Sequence, residues 1–221
     1  MNIYDVMGPV MIGPSSSHTA GAVRLGLLAA SVLGSLPVKA EIFLHGSFAE
    51  TYKGHGTDLA LLAGLMGWHP DDERIPRAHF FARENKLDYS FAKIDLGNMA
   101  HPNTVLFKLT AASGSRCEVV GSSVGAGSVV VTEIDGFPVE LTGRWPAILT
   151  VHVDTRGIIA LVTSTLANAG VNIGAMRVFR DENKGIASMI IECDEVVPQG
   201  ILNLIAALPQ MESVRFIASV L

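Results

Sequence analysis

Three short stretches of this chain concentrate side chains able to move protons or hold an anion. Gly13 to Gly21 reads GPSSSHTAG. Gly13-Pro14 forces a turn, and the hydroxyls that follow meet the unpaired N–H groups of a helix start. One Ser or Thr is enough for a cap. Ser15, Ser16, Ser17, His18 and Thr19 are more hydrogen-bonding groups than that, and a helix N-terminus carrying them suits a carboxylate or phosphate. The stretch therefore reads as a cap, a ligand site, or both. The second stretch is HGSFAETYKGHGTD, His45 to Asp58. His55 lies between two glycines, where another group can approach the backbone closely. The same pattern describes an exposed loop histidine, and Thr57 or Asp58 is placed to cap the next helix. The third is HPNT, His101 to Thr104, a turn leading into a strand, with Asn103 as its amide.

Other chemistries fit less well. SSVGAGSVVV, Ser122 to Val131, has glycines between two strand-like runs but no following helix, so it reads as a hairpin turn rather than a phosphate loop. Imidazole suits zinc or iron, yet nothing in the spacing of His18, His45, His55 and His101 marks them as ligands, and no metal is expected on this chain. There is no nucleophile elbow, and adjacent Ser17 and His18 do not make a triad. Cys117 and Cys193 are far apart, which argues against a disulfide framework and for a reducing cytosol. A net charge of −5 argues against nucleic acid or an anionic membrane as partner. No apolar run spans a bilayer, and MNIYDVMGPVMIG has no basic region followed by an apolar core, so no secretion signal is expected.

The elements that must position these residues fall into two groups. At the C-terminal end, 147–154 alternates apolar and polar as a half-buried strand does. Residues 157–169 put Ile158, Leu161, Val162 and Leu166 on one helical stripe, closed by Gly170. Strands over 172–180 and 185–194, a helix over 198–208 and a strand over 213–220 complete a β-α-β-β-α-β order, the ferredoxin-like split βαβ unit. GRWP, Gly143 to Pro146, breaks the periodicity and suggests a division into residues 1–145 and 146–221. The first part reads as α+β. Helices are expected near 20–33, 47–53 and 57–66, with a partly helical polar segment over 69–85. Strands are expected near 38–44, 87–96, 104–111, 116–124 and 127–134.

GPSSSHTAG, GHGTD, HPNT and SVGAG, in this order and followed by that C-terminal unit, resemble the β subunit of bacterial iron–sulfur L-serine dehydratase over essentially the whole chain. The C-terminal unit is similar to ACT regulatory domains. The N-terminal unit is similar to the allosteric substrate-binding (ASB) domain of some phosphoglycerate dehydrogenases. The resemblance implies a lyase of amino-acid degradation that turns L-serine into pyruvate and ammonia with a 4Fe–4S cluster. Three cysteines of a separate α subunit hold that cluster, whose fourth iron acts as a Lewis acid. This chain would then be the cluster-free half of a cytoplasmic enzyme, inactive alone. By the same resemblance His18 and His55 are catalytic and complete the cleft facing the α subunit, with Ser16, Ser17 and His18 as its rim and His55 opposite. Ser15, Ser16, Ser17, Thr19 and Asn103 are expected to bind substrate. In the ACT-like unit His152, Asp154, Gly157 and Asn172 fall at the offsets of a serine-effector site, although Asp154 replaces an amide and Arg156 stands where proline is usual. Those four either bind an effector or form a strand-to-helix loop at a dimer interface, since ACT units usually pair. The alternative for the whole chain is a non-catalytic amino-acid-binding module that regulates another partner.

Overall fold

A computed structural model describes residues 9–220; the reading of the first eight residues as lacking a secretion signal lies outside them. Contacts divide the chain into two compact units. One runs up to Gly136 and takes in Glu140–Thr142; the other comprises Phe137–Val139 and everything from Gly143 on.

In the first unit, a single π-type turn over Ser16–Gly21 runs straight into α1 (Ala22–Leu33). Then come β1 (Pro37–Leu44), α2 (Gly46–His55), α3 (Thr57–Leu65), a 3₁₀ turn over Ile75–Arg77 and α4 (Ala78–Glu84). Five strands follow in its sheet: β2 (Asp88–Lys93), β3 (Thr104–Ala111), β4 (Arg116–Gly125), β5 (Ser128–Ile134) and β6 (Phe137–Leu141), of which Phe137–Val139 count with the second unit. The sheet order is β2-β1-β3-β4-β5-β6, with β1 parallel to β2 across the helical crossover and antiparallel to β3. Alternation in β3 decides which face is covered. Val105, Phe107 and Leu109 are buried, and between them Leu106, Lys108 and Thr110 are half-buried. Leu25, Leu28, Phe48, Leu61, Leu62 and Leu65 of the helices are fully buried on the covered side. On the other side charged residues pair across strands, as in Lys108–Glu118, as expected of an antiparallel sheet with one face toward water.

Three differences from the periodicity stand out. The first helical winding begins at Ser16 rather than near Ala20. β2 stops at Lys93, short of Leu96. β6 is a strand that the sequence pattern does not announce.

The second unit has β7 (Ala147–Val153), α5 (Ile158–Asn168), β8 (Ile173–Asp181), β9 (Ile186–Cys193), α6 (Gln199–Ala206) and β10 (Met211–Ile217). The antiparallel sheet runs β10-β7-β9-β8. Val162 and Leu166 of α5 and Leu202 and Ile205 of α6 share one buried cluster with Ile148, Met189 and Ile191, so both helices lie on one face. This is the ferredoxin-like arrangement, and the protein is α+β in both units. No helix among the described residues is long and apolar enough to cross a membrane.

Candidate functional site

The site is built where four loops of the first unit meet. Ser15 is the residue that caps: its backbone is extended and its Oγ accepts the N–H of His18 at 3.3 Å. Ser16 and Ser17 are half-exposed in the wide turn that follows. π-type turns of this kind are frequent at functional sites. Thr19 is buried and packs against Gly13, where no Cβ would fit. Gly21 packs likewise against the Ser123 hydroxyl, and the Ser123 N–H donates to the Asn103 carbonyl at 3.0 Å. One residue before Asn103, the Pro102 carbonyl accepts the N–H of Phe48 at 3.3 Å. GPSSSHTAG, the start of α2, HPNT and the end of β4 are thereby tied to one another.

His18 and His55 come together in the middle. Their ring centroids are 4.8 Å apart and the planes are tilted by 40°. His55 therefore stands beside His18 rather than across a cleft from it. Phe48 meets His18 edge-on at 5.2 Å. Thr51 Oγ1 lies 3.1 Å from His18 Nε2. Burial, and after it the charge of His55, holds the His18 imidazole below the usual histidine range, so it is a neutral group at pH 7. His55, at the end of α2, is exposed. A cavity of about 300 Å³ opens next to it, lined by Ile12, Gly13, Pro14, Thr19, Lys53 and Ile75 among others; His18 is not among the described residues that line it.

The other motif residues have different tasks. His45 Nδ1 accepts the Leu96 N–H at 3.1 Å, and His101 Nδ1 accepts the Asn103 N–H at 3.1 Å. Both imidazoles thus shape loops. The Asn103 Oδ1 is buried with no hydrogen-bond partner among the described residues, and no hydrogen bond there joins it to His18 or His55. Asp58 does not cap α3. Its carboxylate reaches His79 Nε2 on α4 at 3.0 Å, and His79 Nδ1 meets the Tyr89 hydroxyl at 3.0 Å. Thr57 does not cap either; Gly56, at φ +69°, takes that position. Thr51 and Phe48 escaped the sequence reading. Thr51 stands one helical turn before His55, and that spacing of four is the signal that could have found it.

In the second unit the four effector candidates are not gathered. His152 is 1% exposed and its Nδ1 has no partner among the described residues. Asp154 is bound by Arg180, whose Nε donates to Oδ2 at 2.6 Å. Asn172 donates to Asp194 at 2.6 Å. Gly157, at φ +91°, starts α5. Arg180 lies near the end of β8 and Asn172 just before its start, eight residues and roughly 26 Å apart at about 3.3 Å per strand residue.

As for a cluster, the chain has two cysteines, Cys117 in the first unit and Cys193 in the second, both buried. Iron–sulfur clusters are held by several thiolates together. Among the described residues no group of three His, Cys, Asp or Glu is placed to hold a metal. This chain's residues do not fit such a group.

The first unit thus places a polar helix start beside two imidazoles, and the second is a ferredoxin-like α+β unit. Residues 3–89 match the family described as serine dehydratase beta chain, and residues 147–210 match the ACT domain. The chain is 42% identical to the probable L-serine dehydratase, beta chain, of Bacillus subtilis (strain 168), covering 98% of both chains. It is 35% identical to the L-serine dehydratase, beta chain, of Peptoniphilus asaccharolyticus, over 97% of this chain and 96% of that one. It is also 27% identical, over 82% of its length, to a third of the D-3-phosphoglycerate dehydrogenase of Synechocystis sp., of which it covers 33%. The chain belongs to the L-serine dehydratase beta-chain family.

Proposed function

We propose that this chain is the β subunit of an L-serine dehydratase, deaminating L-serine to pyruvate and ammonia together with an α subunit that carries the 4Fe–4S cluster. The single observation behind this reading is the contact of His18 with His55 where the motifs converge. Elimination of water from serine requires a proton to leave the α-carbon and the hydroxyl to depart. A neutral, half-buried imidazole beside an exposed one is suited to orienting the substrate and taking or returning a proton. The Ser15 hydroxyl lies 3.5 Å from His18 Nδ1, Ser16, Ser17 and Thr19 are further substrate-binding candidates of the same stretch, and the unpartnered Asn103 Oδ1 is a polar group near the same loops. On this reading His18 and His55 are the catalytic residues, the chain is inactive alone, and the assembly works in the cytoplasm, where Cys117 and Cys193 stay reduced.

The two domains, 1–145 and 146–221, then have separate tasks. The ACT domain pairs copies of the chain. β8 is an edge strand, and two-fold antiparallel pairing of β8 with β8 would bring Asn172 of one copy alongside Asp154 of the other, making an effector site of His152, Asp154, Gly157 and Asn172 across two chains.

The test is co-expression with the α chain and anaerobic assay of pyruvate from L-serine. The expected result is activity only when both chains are present. His18→Ala and His55→Ala should each lower kcat by about 100-fold or more, the range for a positioned acid or base. Unchanged turnover and unchanged KM in both variants would remove the assignment.

A further inference from the structure

We infer that Thr51 is a positioning residue which fixes the tautomer of His18, leaving Nδ1, the nitrogen beside Ser15, as its basic atom. A threonine hydroxyl has one proton and two lone pairs. Thr51 Oγ1 lies 2.8 Å from the Ser47 carbonyl one turn back on α2. A carbonyl only accepts, so the hydroxyl proton goes there. Toward His18 Nε2, at 3.1 Å, Thr51 then presents a lone pair, and Nε2 must be the nitrogen that carries hydrogen. A neutral imidazole has one ring proton, so Nδ1 is bare.

The other side of the ring agrees. Ser15 Oγ accepts the His18 backbone N–H at 3.3 Å and lies 3.5 Å from Nδ1. Its own proton is free to point at Nδ1, although 3.5 Å is too long for a strong bond. Turning the ring over about its Cβ–Cγ bond would put Cδ2 and Cε1 where Nδ1 and Nε2 stand and lose both arrangements, and Phe48 and His55 pack against it. The lowered proton affinity of His18 is consistent with this, since a second ring proton would have to enter a half-buried place beside another imidazole.

The inference rests on the reading of His18 as a group of the serine-dehydrating site, and it adds the atom involved. Any proton that His18 accepts is taken at Nδ1, next to the Ser15 hydroxyl, and is returned from there. Nε2 stays a donor to Thr51 throughout.

The experiment is long-range ¹H–¹⁵N correlation NMR on the ¹⁵N-labelled full chain at pH 7.5. For His18 it should show a protonated Nε2 and an unprotonated Nδ1. Thr51→Val keeps the shape but has no lone pair to accept Nε2–H, so the Nδ1–H form should become populated; Thr51→Ser should restore the original pattern. In the enzyme reconstituted with the α chain, Thr51→Val should lower kcat by roughly tenfold or more with little change in KM, and Thr51→Ser should recover it. A wild-type His18 carrying its proton on Nδ1 overturns the inference without any substitution. So does a Thr51→Val spectrum with the tautomer unchanged. Should the reconstituted enzyme fail to dehydrate serine while the spectra behave as expected, the functional reading fails and the tautomer assignment stands.

Discussion

At Gly46 the backbone turns with φ +56°, and the Pro102 carbonyl oxygen lies 2.7 Å from where a Cβ would stand. Two penalties therefore meet at one residue: left-handed backbone and collision with backbone atoms that cannot rotate away. Gly46→Ala should destabilise the protein by about 1–3 kcal/mol, read as a lower urea midpoint. It should also disturb His18, because α2 begins here and carries Phe48, Thr51 and His55 to it. Urea midpoints equal to wild type would show that the α2 start has room to shift. At this scale the sequence was informative about residue type and poor about partner. His18 and His55 were separated from His45 and His101 only by the family resemblance, since all four lie next to glycine, proline or hydroxyl residues. The loop-shaping work of His45 and His101 was not legible, because their ring nitrogens are used by backbone N–H groups of loops. Asp58 was misread for a similar reason. Its position at the start of α3 suggested a cap, and only tertiary folding shows that His79 on α4 claims it.

Between elements, the crossing of α1 and α3 is set by an absence of side chains. A Cβ on Gly64 would strike the Val23 carbonyl, and one on Gly26 would come within 2.6 Å of the Leu61 carbonyl. The two helices touch backbone to backbone, flanked by fully buried Leu25, Leu28, Leu61 and Leu65. Gly64→Ala should therefore lose more through forced separation than it gains in helix propensity, a net cost of about 1–3 kcal/mol. Chemical denaturation would show the loss as a lower urea midpoint. A variant as stable as wild type would mean that the helices separate freely. Sequence periodicity had found both helices, since a stripe of leucines is a local signal, but helix proximity is not. β6 was missed for a different reason. Its sequence FPVEL contains Pro138, which speaks against a central strand. β6 is the last strand in the sheet order, an edge position where proline is tolerated. The π-type turn left no trace either, because one extra residue in a winding does not alter the hydrophobic pattern around it. The C-terminal β-α-β-β-α-β order was the most legible part, because its two helices each carry an apolar stripe and its strands are apolar runs bounded by turn residues.

Over the whole molecule, each unit holds a histidine whose charged form burial disfavours. For His18 the causes are burial and then His55; for His152 burial prevails over the opposing pull of Asp154 and Glu212. In the unfolded chain both rings take up a proton near pH 6.5. Below that pH the unfolded state binds more protons than the folded state does, so stability falls as the solution is acidified. Asp72 and Asp181 act in another window. Hydrogen bonds from Arg74 and Lys184 hold their carboxyls below the usual range, so their contribution is present above about pH 4 and is lost only below it. Acidification from pH 7.5 to 5.5 thus tests the histidines and leaves these two carboxylates charged. The expected outcome is a lower melting temperature at pH 5.5 than at 7.5. His152→Leu removes one of the two titrations from a site that is 1% exposed, and should flatten the part of the pH dependence that belongs to the ACT domain while His18 continues to titrate. If the wild-type melting temperature is the same at both pH values, the two imidazoles are as accessible to protons in the folded protein as in the unfolded chain, and the account of burial disfavouring the charged forms of His18 and His152 loses its physical basis.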